Sequence, residues 1–199
     1  MNDKVKLATR DLAKIALSIA LIVIGGLIKI PIGIVPITLQ MFMCFTVTLI
    51  LQKKAFIAIA IYILMGLVGL PVFASGGGFS YVFVPSFGYL IGFLFGSIIV
   101  GFSMSYLKDK KYINILLLIL LYEAIVYIFG LGYWTILYKF IVNKDLTAKT
   151  LFISGFLVFI PTDLFWCVLS SFIYKKLEPR LHLSSNNNLE EIHAENSEQ

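Results

Sequence analysis

A carboxylate lies near the middle of a hydrophobic segment that is long enough to cross a membrane. Asp163 stands in the apolar segment 151–174, two positions after Pro161. A charged side chain at the centre of a bilayer costs about 2.5–3.5 kcal/mol, so it almost always faces the interior of a helix bundle. Proline removes a backbone N–H and opens the helix at the same depth. The two residues together predict a polar pocket between membrane helices.

Two more polar side chains enter a hydrophobic segment directly after a turn. Pro31, Gly33 and Pro36 interrupt any helix, and Thr38 and Gln40 follow them. Hydrogen-bonding side chains at such a place either join helices or contact a ligand. The residues alone leave both uses open.

An apolar loop is predicted between the third and fourth hydrophobic spans. It contains Phe73 and three consecutive glycines, Gly76, Gly77 and Gly78, which tolerate positive φ angles. Ordinary connecting loops are polar, whereas this one is aromatic and apolar. We therefore predict that it forms a lid or a wall of the pocket, on the outer side of the membrane.

Small residues repeat at four-residue spacing on two predicted helices, which allows close helix approach. Ala16 and Ala20 form one such face, which serves either internal packing or the docking of a partner protein. Gly88, Gly92 and Gly96 form the other, and there the prediction is packing within the bundle.

The composition is that of a helical membrane domain. Of the 199 residues, 59% are hydrophobic and 14% are charged, and the mean hydropathy is +0.94. We predict an all-α fold, a six-transmembrane-helix bundle at 1–178, followed by a polar and disordered tail at 179–199. The predicted spans are 11–30, 36–52, 55–71, 85–107, 113–136 and 150–174. A single bent element is the alternative for the second and third.

Basic residues predict the orientation of these spans. Twelve of the 16 lysines and arginines lie in the segments 4–14, 53–54, 108–111 and 175–180, which six spans place on one side. Because positive residues concentrate on the cytoplasmic side, both termini are predicted to be cytoplasmic. The net charge of +5 then reflects membrane orientation rather than binding to nucleic acid.

Several classes of activity lack their motifs. The chain has no phosphate-binding G-x-x-x-x-G-K-[ST] sequence, no H-E-x-x-H and no G-x-S-x-G. Cys44 and Cys167 lie in apolar spans without metal-ligand spacing, so they predict small buried side chains. We predict no enzymatic activity, no catalytic residues, no ATP hydrolysis by this chain, and no metal or cofactor.

A second carboxylate, Glu123, lies in the fifth predicted span. Pairing with a nearby basic residue such as Lys111 is its expected structural role. Together with Asp163 it could instead form a proton relay in a stand-alone carrier, which is a different class of function. A scaffold protein without a ligand is a third class.

Four motifs, in order and spacing, resemble a known family. They are PITLQ at 36–40, GLPVFA at 69–74, PSFGYLIGF at 85–93 and PTD at 161–163. In this combination they are similar to the biotin-specific substrate-binding (S) component of energy-coupling-factor vitamin transporters, over roughly residues 10–178.

The resemblance implies a six-helix bundle that holds biotin in an occluded pocket near the outer face. It implies a multi-pass protein of a bacterial plasma membrane that works with a transmembrane coupling subunit and two cytoplasmic ATPase subunits. In that family the face equivalent to Ala16 and Ala20 docks onto the coupling subunit. An S component for another vitamin or a precursor, such as dethiobiotin, is the alternative within this class.

The resemblance also implies a set of ligand contacts. Asp163 is expected to accept hydrogen bonds from the ureido N–H groups of biotin. Many family members carry a lysine three positions after this aspartate, and here that position is Trp166. The full predicted ligand-binding set is Asp163, Trp166, Gln40, Thr38, Phe73, Gly76, Gly77, Gly78, Ser86, Tyr89 and Tyr127.

Overall fold

The structure is a computed structural model that describes residues 3–31, 35–142 and 147–197. Most of these residues are helical. The α-helices are α1 Asp3–Leu27, α2 Gln40–Leu51, α3 Ala55–Leu67, α4 Phe87–Tyr106, α5 Tyr112–Leu137, α6 Ala148–Phe152 and α7 Ile160–Ser197. Short 3-10 turns cover Gln52–Lys54 and Phe79–Phe83, and π-helical turns cover Tyr138–Val142 and Ile153–Leu157.

Four helical segments of the described chain are long and apolar enough to cross a membrane. They are Gln40–Leu67, Phe87–Tyr106, Tyr112–Ile141 and Lys149–Pro179. The predicted spans 85–107 and 113–136 agree with α4 and α5 to within two residues at each end.

The first of these segments is a helical hairpin. Nε2 of Gln40, at the start of α2, donates a hydrogen bond of 3.0 Å to the hydroxyl of Tyr62 in α3. In one continuous helix these residues would be about 33 Å apart, so the chain must reverse between them. It does so at Gln52, whose φ of 50° is non-helical. Two antiparallel helices therefore replace the single bent element.

A short antiparallel hairpin connects α1 to α2. Strand β1, Lys29–Ile30, pairs with strand β2, Ile37–Thr38. Pro31 helps to explain why α1 ends before the predicted residue 30, since a residue before proline avoids the helical region. Helix α2 begins at Gln40 rather than at residue 36, because strand β2 lies between. Gly33, predicted to help form this turn, lies outside the described residues.

The last predicted span is not one regular helix. The π-helical turn Ile153–Leu157 follows α6, and α7 then starts afresh at Ile160. Pro161 occupies the first turn of α7, where a missing N–H costs no hydrogen bond and the fixed φ suits the helix. This new start places Asp163 in the first turn of α7.

Composition predicts a disordered polar tail at 179–199. In the structure α7 extends as far as Ser197. Leucine and glutamate recur in this segment, and both are good helix formers. The disorder of the tail and the division into domains at residue 178 both stay predictions.

Helices α4 and α5 pack closely through glycines. A Cβ atom on Gly92 would lie 2.7 Å from the Cα atom of Val126 in α5, which is too close for any side chain. The same constraint holds at Gly88 and Gly96, which face Tyr133 and Tyr122. The prediction that this glycine face packs inside the bundle is confirmed.

Segments rich in lysine meet at one end of the bundle. Lys54, at the turn between α2 and α3, forms an ion pair with Asp11 of α1. Nζ of Lys175 in α7 donates a hydrogen bond of 2.9 Å to the carbonyl oxygen of Lys110, between α4 and α5. An open cavity of about 570 Å³ has Asp11, Lys54 and Lys110 in its wall.

Candidate ligand-binding site

A second, much smaller cavity lies where the β-hairpin, the 69–86 loop and three helices meet. Its volume is about 60 Å³. Its lining comes from the hairpin, α2, the loop, α4 and the segment around the start of α7. The lining residues are Val35, Pro36, Ile37, Thr38, Gln40, Met41, Ala74, Tyr81, Ser86, Tyr89, Leu90, Phe93, Phe159 and Asp163.

Asp163 provides the acidic group of this lining. It is only 6% exposed, and its backbone N–H donates a hydrogen bond of 2.9 Å to the carbonyl oxygen of Phe159. The hydroxyl of Tyr127 in α5 donates to Oδ2 of Asp163 at 2.6 Å. The start of α7 also places the partial positive charge of a helix N-terminus beside this carboxylate.

These interactions leave Asp163 with capacity to accept more hydrogen bonds. An ionised carboxylate has about four lone-pair sites, and Tyr127 occupies one of them. Within the described chain no lysine or arginine forms an ion pair with Asp163. The site therefore suits a neutral ligand group that carries N–H donors.

Gln40 connects the cavity to two other elements. Its Nε2 donates to the hydroxyl of Tyr62 at 3.0 Å, and this hydroxyl donates to the carbonyl oxygen of Val72 at 3.2 Å. The side chain is 4% exposed, so its position is fixed by buried partners. Tyr62 thus joins the cavity wall at Gln40 to the loop at Val72.

The 69–86 loop is tied to the bundle by its glycines. Phe73 and Gly76 exchange two backbone hydrogen bonds, of 2.9 and 3.1 Å. The N–H of Gly78 donates to the carbonyl oxygen of Gly66 in α3 at 2.7 Å. Gly76 and Gly78 have φ angles of 114° and 105°, a region that favours glycine.

Gly77 has a separate reason to be glycine. A Cβ atom there would lie 2.0 Å from the carbonyl oxygen of Leu70. Phe73 fills the space beside Gly66, where a Cβ atom would lie 2.0 Å from its ring. The three predicted glycines and Phe73 therefore shape and anchor the loop, and none of them lines the cavity.

Hydroxyl groups fix the other walls. The hydroxyl of Tyr81 in the loop and Oγ of Ser86 lie 3.0 Å apart. Tyr89 in α4 donates to the carbonyl oxygen of Gly155 at 2.8 Å, in the π-helical turn before α7. Since these groups already have partners, their rings and edges provide most of the surface open to a ligand.

Five of the predicted site residues line the cavity together: Thr38, Gln40, Ser86, Tyr89 and Asp163. Tyr127 lies behind Asp163 as its hydrogen-bond donor. Trp166 is elsewhere, with its ring 5.3 Å from that of Phe42 and 4.9 Å from that of Phe165. Its buried indole N–H has no hydrogen-bond partner among the residues that the structure describes.

Sequence reasoning missed several lining residues. Phe159 and Phe93 stand four positions before Asp163 and four positions after Tyr89, so helical spacing was a signal that could have found them. Ala74 and Tyr81 belong to the loop that was predicted as a wall. Val35 lines the cavity from the hairpin, for which the sequence carries no comparable signal.

Glu123 does not pair with Lys111, so that prediction is wrong. Cys167 in α7 donates a hydrogen bond of 2.7 Å from its thiol to Oε2 of Glu123. Lys111 instead forms an ion pair of 2.7 Å with Asp109, whose hydrogen bond raises the pKa of Lys111. Lys111 cannot reach Glu123 because the Glu123 side chain is only 6% exposed and points toward α7, where Cys167 lies.

Ala16 and Ala20 are exposed on the surface of α1. Leu12, Leu17 and Ile24 on the same helix are exposed as well, by 66%, 64% and 50%. The alanine face therefore does not pack inside the bundle, and the alternative of internal packing is wrong.

Comparison with known proteins gives consistent matches. The sequence model of the BioY family matches residues 1–183. A probable biotin transporter BioY of Lysinibacillus sphaericus is 35% identical over 178 residues, covering 85% of this chain and 87% of the relative. A probable biotin transporter BioY of Pyrococcus horikoshii is 32% identical over 172 residues, covering 85% of this chain and 96% of the relative.

A solved structure agrees as well. The crystal structure of the S-component for biotin from an ECF-type ABC transporter superposes with a TM-score of 0.77 at 31% identity, covering 90% of this chain and 95% of that chain. The family model, the two relatives and the solved structure each match most of the sequence. The chain belongs to the BioY family.

Proposed function

We propose that this protein binds biotin in the cavity beside Asp163 and serves as the S component of an energy-coupling-factor transporter. The observation that carries the proposal is the buried Asp163 carboxylate, held by Tyr127 at 2.6 Å in a cavity of mainly apolar and aromatic residues. Binding sites for small ligands combine an apolar lining with a few convergent polar groups.

The chemistry of biotin fits these groups. Its ureido ring has two N–H donors, which a carboxylate accepts through charge-assisted hydrogen bonds. Its bicyclic frame and thioether are apolar and suit the faces of Tyr89, Leu90 and Phe93. An analogue without the ureido N–H groups would leave the buried Asp163 carboxylate without hydrogen-bond donors from the ligand. A site discriminates against such an analogue more strongly than against one that differs only in apolar shape.

The orientation of the chain follows from the distribution of charge. Asp11, Lys54, Lys110 and Lys175 belong to segments that meet at one end of the bundle. With α2 and α3 counted separately, six helical passes bring both chain ends to this side. The positive residues support its assignment to the cytoplasm of a bacterial cell.

Transport in this proposal requires partners. A transmembrane coupling subunit docks on the exposed α1 face at Ala16 and Ala20, and two cytoplasmic ATPase subunits supply the energy. The small residues of this face allow another helix to approach closely.

Equilibrium binding of biotin to the purified protein in detergent tests the proposal. Wild type is expected to bind tightly, and Asp163→Asn is expected to lose at least about tenfold in affinity, since hydrogen bonds to a charged group contribute about 1.5–3 kcal/mol. Asp109→Asn makes the same chemical change at an exposed residue paired with Lys111, so it serves as the matched control. No measurable binding by wild type, with other vitamins binding instead, would reject biotin as the ligand.

A further inference from the structure

One lysine contacts the wall of the small cavity. Nζ of Lys29 donates a hydrogen bond to the carbonyl oxygen of Ala74, and Ala74 lines the cavity. The lining itself includes no lysine or arginine among the residues that the structure describes. Lys29 is therefore a positive charge at the edge of a cavity whose described acidic group is Asp163.

The register of the β-hairpin directs Lys29 toward this cavity. Lys29 pairs directly with Thr38, and opposed residues of an antiparallel pair have their side chains on the same face. Thr38 lines the cavity, so Lys29 lies on the cavity face of the hairpin. It is also exposed, which leaves its ammonium group accessible to a ligand that enters from outside.

We infer that Lys29 binds the carboxylate of the ligand and thereby selects a free acid over its neutral derivatives. This inference rests on the proposed function, since it takes biotin as the ligand. Biotin carries its ureido ring and its carboxylate at opposite ends of the molecule. A ring held at Asp163 extends the valerate chain away from the carboxylate of the protein, toward the hairpin and the loop.

Lys29 gains by exchanging its present partner, the carbonyl oxygen of Ala74, for a ligand carboxylate. The carbonyl oxygen of Ala74 is neutral, whereas a ligand carboxylate carries a full negative charge and so attracts the ammonium group of Lys29 more strongly. On ligand binding, Lys29 therefore leaves Ala74 for the ligand carboxylate. The hairpin and the loop, joined by Lys29 before, are then joined through the ligand.

Two other described lysines, Lys139 and Lys149, also lie outside the segments predicted to be cytoplasmic, and their surroundings differ from those of Lys29. Nζ of Lys139 lies 5.9 Å from the centre of the Phe140 ring, and Lys149 is exposed on α6. Neither belongs to the cavity lining. Lys139 is therefore a suitable control for a nonspecific effect of positive charge.

The test measures the affinity of wild type, Lys29→Met, Lys29→Arg and Lys139→Met for biotin and for biotin methyl ester. Wild type and Lys139→Met are expected to prefer biotin to the ester by about tenfold, the size of one charge-assisted hydrogen bond. Lys29→Met is expected to lose this preference while it keeps its affinity for the ester. Lys29→Arg is expected to restore most of the preference.

Three outcomes would overturn the inference. A Lys29→Met variant that keeps the wild-type preference for the free acid would exclude Lys29 as the carboxylate partner. Equal loss of both ligands would make Lys29 a structural residue of the hairpin and loop. Failure of wild type to bind either compound would overturn the proposed function and this inference with it, whereas tight wild-type binding with an unchanged variant would overturn this inference alone.

Discussion

The hydroxyl of Tyr127 in α5 lies 2.6 Å from Oδ2 of Asp163 in α7, and both side chains are buried. This contact joins two helices at the depth of the candidate site. It also orients the carboxylate, because a buried phenol that donates to one oxygen restricts rotation of the group. The cavity lining includes Asp163 but not Tyr127, so the tyrosine acts on a ligand through the aspartate.

Tyr127→Phe tests this role. Removing the donor is expected to weaken biotin binding by about tenfold, since a hydrogen bond to a charged group contributes about 1.5–3 kcal/mol. Calorimetry on the purified protein measures the change. Tyr122→Phe is the control, because it also removes a buried hydroxyl of α5, one that donates to the carbonyl oxygen of Phe93 at 2.7 Å. Equal affinities for both variants would contradict the assigned role.

The pair of Glu123 and Cys167 predicts a loss of stability rather than of function. Cys167→Ala removes the thiol that donates to Oε2 of Glu123 at 2.7 Å, leaving a buried acceptor short of a partner at a cost of about 1–3 kcal/mol. The midpoint of thermal unfolding in detergent is expected to fall. Cys44→Ala, at the other fully buried cysteine, controls for the loss of volume.

A substitution at Glu123 tests whether the protein is a transporter subunit or a proton-coupled carrier. Glu123→Gln is expected to leave biotin binding near that of wild type, because Glu123 does not line the cavity. Uptake by cells that carry the coupling and ATPase subunits is expected to persist in this variant. If Glu123→Gln abolished uptake and a protonophore abolished it in wild type, the carrier function would be favoured instead.

Two glycines of the bundle predict opposite effects of one substitution. Gly92→Ala places a Cβ atom 2.7 Å from the Cα atom of Val126, so α4 and α5 must separate, at a cost of about 1–3 kcal/mol. A Cβ atom on Gly132, also in α5, would lie more than 4 Å from every described neighbour, so Gly132→Ala is expected to stabilise the helix by about 0.5–1 kcal/mol. Unfolding midpoints of both variants check the prediction, and a shift of the same sign in both would contradict it.

The alanine face of α1 predicts a defect in assembly alone. Ala16→Trp and Ala20→Trp are expected to abolish copurification with a coupling subunit while biotin binding by the isolated protein stays unchanged. The bulky ring prevents the close helix approach that small residues allow. Ile128→Trp, at a residue 69% exposed on α5, is the control on another membrane-facing surface. Normal assembly of both alanine variants would place the docking surface elsewhere.

The sequence was informative wherever an isolated residue type carried the signal. A carboxylate and a proline in an apolar segment located Asp163 and the start of α7, and the polar entry after Pro36 located Gln40. It was uninformative about partners across helices. The contact of Tyr127 with Asp163 depends on the rotation and depth of α5 relative to α7, and no local pattern fixes that relation.

Two predictions depended on positions along the chain. Trp166 was predicted to contact the ligand because the family resemblance puts a lysine at this position; its ring packs beside Phe42, and contact with a ligand stays a prediction. Glu123 was paired with Lys111 by proximity in sequence, although it faces Cys167. Residues three or four apart on a helix share a face only approximately, and the neighbouring helix decides what each of them meets.

The small volume of the cavity beside Asp163 bears on how a ligand enters it. Pockets for small ligands usually have volumes of about 300–1,000 Å³, whereas this cavity has about 60 Å³. The cavity must therefore widen to take up a molecule as large as biotin. The hairpin and the 69–86 loop both contribute to its lining, and Lys29 joins them at Ala74, so separation of these two elements would provide the space. Part of the free energy of binding then goes into this rearrangement, and a measured affinity reports the sum of both.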